Sequence, residues 1–426
     1  MTETGAGRLL RNPEAPARAT LLELLYDVVY VAALALLSMR LAGQVTLPGA
    51  VHSLLLLMAI WWTWSVTTIL TDFYDPGRPF IQLVVGTTMV GVVLMTAALP
   101  TAFDGHGVLF ASAYVAIHFV RGILLVSALR GHEAQARAAR FLFWFMVSGV
   151  AWIGGGLAGG TARAWLWALA LLIDYVSSGL RYPTPFIGRV PLAQYDKGSE
   201  HLGERYQQFV ILALGDMVLV PTLRLRDSGF AGARIVAFLA AFATTLLLWQ
   251  IYVYRAGAFL RTAITRSPAR ATRWAAYTHL IMVAGIVATA AGFEVVLKTP
   301  TVTTATGWIG LIMGGPALFL VGRMTFEYEV FGRVPWSRLG WLVVLVGVGP
   351  LMVLVPSVAV TVITALILLG IAISDVVVHD LAGRWRRRQR SRQRPEAGSG
   401  RPKRVRPQGD GGRRGAAGGP TKPEGP

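Results

Sequence analysis

The chain has 426 residues, 54% hydrophobic and only 15% charged, with 13 Trp and a mean hydropathy of +0.54. Soluble domains carry roughly 25% charge, and a globule of this length has no interior able to hide so much apolar surface, so a purely water-soluble fold is excluded and the bilayer is the natural second solvent. The absence of Cys excludes disulfide frameworks, thiolate metal centres and thiol catalysis, while a net charge of +18 concentrated at the C-terminal end argues against a nucleic-acid-binding body.

Residues 1–19 hold Arg8, Arg11 and Arg18 among Glu3, Pro13, Glu14 and Pro16 and read as a cytoplasmic N-terminal segment. The apolar run that follows carries Glu23 and Asp27 and has no small-residue cleavage site, so it is predicted to stay as a transmembrane helix rather than leave as a signal peptide. Stretches long enough to cross roughly 30 Å of hydrocarbon, about 17 to 25 residues each, fall at 20–42, 48–71, 80–99, 107–129, 139–158 and 163–180. Residues 181–204 are punctuated by Pro and Gly, cannot span, and are predicted to form a cytoplasmic loop. Six further stretches fall at 205–223, 232–254, 274–297, 305–323, 339–355 and 358–379. The expectation is an all-α polytopic integral membrane protein of about 12 transmembrane helices, in six-helix units 20–180 and 205–380. At Pro356-Ser357 one long kinked segment is the alternative to two helices. Residues 381–426 hold 14 Lys/Arg against 3 Asp/Glu, a net +11, with ten Gly and six Pro. That composition predicts a disordered basic tail lying against anionic lipid head groups, with no nucleic-acid partner.

With both termini inside, the cytoplasmic segments other than the tail hold 19 Lys/Arg and the outer ones 6, which predicts a multi-pass protein of the bacterial cytoplasmic membrane with both ends cytoplasmic. The halves also match one another. Glu23 heads the first helix as Glu204 heads the seventh, Arg140 opens the fifth as Arg338 opens the eleventh, and Asp174 in the sixth corresponds to Asp375 in the twelfth. These correspondences suggest two parallel six-helix repeats.

Ionisable groups in spanning segments ask for a partner or a purpose. Glu23, Asp27 and Tyr30 form one stripe at i, i+4, i+7, and Tyr114, His118 and Arg121 repeat that spacing in the fourth segment. His201, Glu204, Arg205, Gln208 and Asp216 share one side of the seventh. Asp174, His279 with Glu294, and Asp375 with His379 add to them. Six acids (Glu23, Asp27, Asp174, Asp216, Glu294, Asp375) face two arginines, Arg121 and Arg205, so several must be protonated, solvated or balanced by a bound cation. Arg121 is expected to neutralise Asp27 or Asp216. The Asp72 and Asp75 pair ahead of Pro76 reads as turn chemistry at a helix end. No His-x-x-x-His pair, P-loop, nucleophile elbow or dinucleotide fingerprint occurs, and no cofactor is expected.

At these stripes the chain resembles the bacterial low temperature requirement protein A family of polytopic membrane proteins. The likeness rests on Glu23-Leu-Leu-Tyr-Asp27-Val-Val-Tyr-Val-Ala, on Trp62-x-Trp64 followed by Thr71-Asp72 and Asp75, and on Tyr114-Val-Ala-Ile-His-Phe-Val-Arg121. It continues through Asp174-Tyr175, His201-Leu-Gly-Glu204-Arg205, Leu214-Gly215-Asp216, and His279-Leu280 with Gly285. Asp216 stands where the family more often has Glu, and His118 where Gln is commoner. The resemblance implies a part in growth in the cold and leaves the molecular activity open. A likeness of the first helix to lysosomal potassium and proton channels favours an ion pathway. Three functions therefore stand side by side. One is a transporter or channel for a cation, proton or small cationic solute. The second is a membrane enzyme acting on lipid with His201 and Glu204 as acid and base, and the third a non-catalytic membrane organiser.

Overall fold

The computed structural model describes residues 7–12, 18–194, 200–266, 268–332 and 334–392. Among them the chain is helical, with isolated bridges and no strand. The helices are α1 Leu21–Gly43, α2 Leu47–Phe73, α3 Pro79–Ala98, α4 Gly107–Ala128, α5 Ala134–Leu157, α6 Gly160–Gly179 and α7 Glu200–Ser228, then α8 Gly232–Arg266, α9 Pro268–Lys298, α10 Thr306–Ile312, α11 Gly314–Phe331, α12 Trp336–Val348 and α13 Ser357–Arg392. Contacts divide the chain into two compact units, Met1–Val376 and Val377–Pro426. Every site described below lies in the first.

Local chemistry sets the helix starts. Thr20 and Glu23 form a reciprocal capping box at α1, Thr46 caps α2 with Pro48 in the first turn, and Pro79 opens α3, where its missing N–H costs nothing. Gly332, in the left-handed conformation, ends α11. Large apolar side chains face outward along the helices, as Leu83, Val90 and Val93 do on α3 and Leu366 and Ile373 on α13, the surface a bilayer would cover.

Among the described residues ten helices are long and apolar enough to cross a membrane: α1 to α5, α7, α8, α9, α12 with the 3-10 turn that follows it, and α13. Hydropathy alone predicts about twelve. The difference lies at α6, which carries Arg163 and Asp174 and is not among the ten, and at 305–323, where α10 and α11 bend by 41°. Pro316 explains that bend, because it has no N–H to return to the carbonyl one turn back and follows Gly314 and Gly315. At Pro356 the chain forms two elements rather than one kinked helix: a 3-10 turn ends at Leu354, and Ser357 starts α13 with its N–H on Val302 O at 3.0 Å.

Residues 7–12 lie against the end of α2, with Arg11 N–H on Phe73 O at 3.1 Å and Asp75 N–H on Leu9 O at 2.9 Å. Boundaries shift in two places. In the loop expected at 181–204, α7 already begins at Glu200, so His201 and Glu204 are helical; residues 195–199 lie outside the described residues. Of the tail expected from 381, helix α13 takes the residues up to Arg392, and 393–426 lie outside the described residues.

The first unit is organised around α1, α2 and α9. α1 touches α2, α3, α7 and α9; α3, α4, α5 and α6 pack in succession, and α7 packs on α8 and α9, with α11 on α9. α2 and α9 are the most enclosed spans, each 78% buried. Where α2 meets α7, Trp61 and Trp64 pack in tilted and edge-on contact with Tyr206 and Phe209, centroids 4.3–6.1 Å apart.

Candidate functional site

α1 and α7 lie parallel, and a single offset joins them: Glu23 to His201, Asp27 to Arg205 and Ser38 to Asp216 are each separated by 178 residues. At the first contact, His201 Nε2 is 3.0 Å from Glu23 Oε1 and Nδ1 is 3.3 Å from Asp72 Oδ1, with Arg11 Nη1 3.1 Å from the same Nε2. Glu23 holds that position because its other oxygen accepts from Thr20 N–H at 2.8 Å in the capping box. At the second contact, Arg205 forks onto Asp27, Nη1 to Oδ2 at 2.6 Å and Nη2 to Oδ1 at 2.7 Å, and Trp64 Nε1 donates to Oδ1 at 2.8 Å. At the third, Ser38 Oγ donates to Asp216 Oδ2. Asp216 is fully buried, its Oδ1 accepts no hydrogen bond, and no cation lies within ion-pairing distance among the described residues.

The α4 stripe looks the other way. Tyr114 OH donates to Asp174 Oδ2 at 2.8 Å and Trp152 Nε1 to the same oxygen at 3.4 Å, with Ser148 also beside it, so Asp174 meets only neutral donors among the described residues. Arg121 donates through Nη1 to Thr67 Oγ1 at 2.9 Å and through Nη2 to His118 Nδ1, whose ring stacks on Phe145. The expected pairing of Arg121 with Asp27 or Asp216 does not occur. Arg205, in register with Asp27, occupies both its oxygens, and Asp216 faces α1. Tyr30 is 2.5 Å, hydroxyl to hydroxyl, from Tyr26, which itself donates to Thr63 O at 3.2 Å.

The remaining candidates are dispersed. Gln208 Nε2 donates to Glu204 Oε1 at 3.2 Å, a contact within one turn of α7. His279 Nδ1 lies 2.8 Å from Ala275 O and must donate there, which leaves Nε2 to accept from Tyr252 OH at 3.3 Å. Glu294 pairs with Arg224, and Asp375 with Arg338 at 2.7 Å, the same Arg338 reaching Glu327 at 2.7 Å. The side chain of His379 lies outside the described residues. The picture of six acids facing two arginines is thereby corrected: Arg224 and Arg338, assigned to loops by hydropathy, sit at helix ends and reach inward with their long stems. Sequence reasoning also missed Ser38 and Trp64 as ligands of the two aspartates, and it read Asp72 as turn chemistry although that carboxylate faces His201. No group of three His, Cys, Asp or Glu among the described residues is arranged to hold a metal ion.

A model of the family described as bacterial low temperature requirement A protein (LtrA) matches residues 18–373, which hold all the contacts above except those of Arg11 and Asp375. An uncharacterized protein of Rhizobium meliloti (strain 1021) is 32% identical over 386 residues, covering 88% of this chain and 93% of its own length. No solved structure matches the chain.

Proposed function

The chain belongs to the bacterial low temperature requirement A family, and from that premise we propose that it is a membrane transporter or channel for a cation or proton, with Asp216 and Asp174 as its carriers. The observation behind this reading is Asp216: a buried carboxyl on a spanning helix with one serine as partner, an orphan oxygen and no cation beside it among the described residues. Burying a polar group without its hydrogen bonds costs a few kcal/mol, so such a site favours a proton or a bound cation. Asp174, held by neutral donors alone among the described residues, is a second such carboxyl in the first half.

The same reading takes α6 as a crossing and the chain as twelve spans. Two helices that lie parallel, as α1 and α7 do, need an even number of crossings from the start of one to the start of the other, and α1 to α6 supply six only if α6 spans. Matching neighbours support a parallel repeat: α1 touches α2 and α3 as α7 touches α8 and α9, and α3 packs on α4 as α9 packs on α11. In this arrangement both termini are cytoplasmic in the bacterial inner membrane, and the basic tail contacts anionic lipid.

The test is proton and potassium flux into liposomes carrying the purified full-length protein. Flux that falls at least about tenfold in Asp216→Asn and Asp174→Asn, with unchanged thermal unfolding, is the expected result. The ion pairs Asp27–Arg205, Glu294–Arg224 and Asp375–Arg338 favour a second reading, a structural organiser: absent flux would favour it instead, and flux indifferent to both variants would remove Asp216 and Asp174 as carriers. Glu204 bonds Gln208 and not His201, which weighs against the lipid-modifying enzyme.

A further inference from the structure

Between α2, α4 and α5 lies a small, partly open pocket. Its walls are apolar, Leu70, Ala138 and Phe141 among them, yet two arginines, Arg121 and Arg137, and His118 line it as well, and no carboxylate does. Arg121 is only 4% exposed and Arg137 7%. Neither guanidinium meets a carboxylate among the described residues. Arg121 donates to Thr67 and His118, while Arg137 reaches Gln194 Oε1 at 3.3 Å and Tyr74 OH at 3.2 Å, with its Cζ 3.8 Å from the Phe73 ring centroid. Because His118 Nδ1 accepts from Arg121, its proton sits on Nε2, and that donor is buried without a partner. Two buried cations and a spare donor in an apolar chamber lack only an anion.

We propose that this pocket binds the phosphate of an anionic membrane lipid, with Arg121 and Arg137 gripping the oxyanion and the apolar walls receiving the first carbons of the chains. Three features select that ligand. The fork of a guanidinium matches the oxygens of a phosphate. Arg137 stands in the first turn of α5 and Arg121 roughly 10 Å inside the end of α4, so the two cations reach from a helix end, the level of head groups in a spanning bundle, inward along the path of a lipid's chains. The apolar lining gains nothing from a free inorganic anion, whereas a lipid brings an apolar stem that covers it.

The experiment follows thermal unfolding of the full-length protein, freed of lipid in a neutral detergent, through its Trp fluorescence. Titration with dihexanoyl phosphatidylglycerol should raise Tm saturably. Arg121→Gln and Arg137→Gln should each raise the half-saturating concentration about tenfold or more. Ala138→Leu, which fills the chamber and keeps both cations, should abolish the response even if Arg121→Gln proves too unstable to measure. Dihexanoyl phosphatidylcholine should act more weakly and inorganic phosphate not at all. No saturable rise, an unchanged response in Arg137→Gln and Ala138→Leu, or equal stabilisation by phosphatidylcholine would overturn the proposal. An equal effect of inorganic phosphate would overturn the lipid as its source.

Discussion

Among single residues, Arg205 carries the sharpest expectation. Its fork onto Asp27 is 1% exposed on one side and fully buried on the other, so Arg205→Met leaves a carboxylate in an apolar wall facing only Trp64. Breaking such a pair from one side costs about 3–5 kcal/mol, while replacing both partners by apolar residues of similar volume is often close to neutral. Thermal unfolding in detergent should therefore show a large loss for Arg205→Met and recovery of most of it in the double variant with Asp27→Leu; a double variant as unstable as the single one would contradict this. The stripe containing Asp27 was legible from its spacing alone, because i, i+4, i+7 on a spanning helix can hardly be accidental. Its partner was not legible. Charge alone offers Arg121 and Arg205 equally to Asp27, and the choice is made by the register of α1 against α7, a property of two helices that no single stretch contains. Arg224 and Arg338 were hidden for another reason: hydropathy assigns a residue by where its backbone sits, and a long side chain ends several ångströms away.

At the level of elements, the α9–α11 crossing shows what the glycines do. A Cβ on Gly285 would stand 2.5 Å from Phe319 N and 2.7 Å from Gly315 O, and one on Gly322 would stand 2.8 Å from Met282 N, so the two backbones touch. Small residues at such crossings replace the hydrophobic drive that lipid cannot supply. Gly285→Val should separate the helices and cost about 1–3 kcal/mol or more, whereas Gly310→Ala, with nothing within 4 Å of its added carbon, should leave unfolding unchanged. Equal behaviour of the two would mean the crossing is looser than its geometry. Span positions were readable from apolar length, since each crossing must bury about 20 residues of backbone with no water to satisfy it. The break at Met313, just ahead of Gly314-Gly315-Pro316, was readable in principle from the proline. A hydropathy window averages over it and returns one span.

For the whole molecule, topology is the testable quantity. Reporter fusions at Gly105, in the loop between α3 and α4, and at Gly188, between α6 and α7, should give opposite signals if α4, α5 and α6 each cross. The same compartment for both would remove α6 as a span and with it the two-unit arrangement.

The parallel register of α1 and α7 also constrains how the chain can change in length. From Asp27 to Ser38 and from Arg205 to Asp216 the step is the same eleven residues, about three helical turns. A one-residue insertion between Asp27 and Ser38 would swing Ser38 by about 100° and take from Asp216 its one donor, unless α7 gained a residue over the matching stretch. Loops between the two helices can lengthen freely, since they leave both rungs where they are. Descendants of this sequence are thus free to drift in the 178-residue offset itself and bound to keep the two eleven-residue intervals equal, so that an insertion in one helix survives only beside its twin in the other.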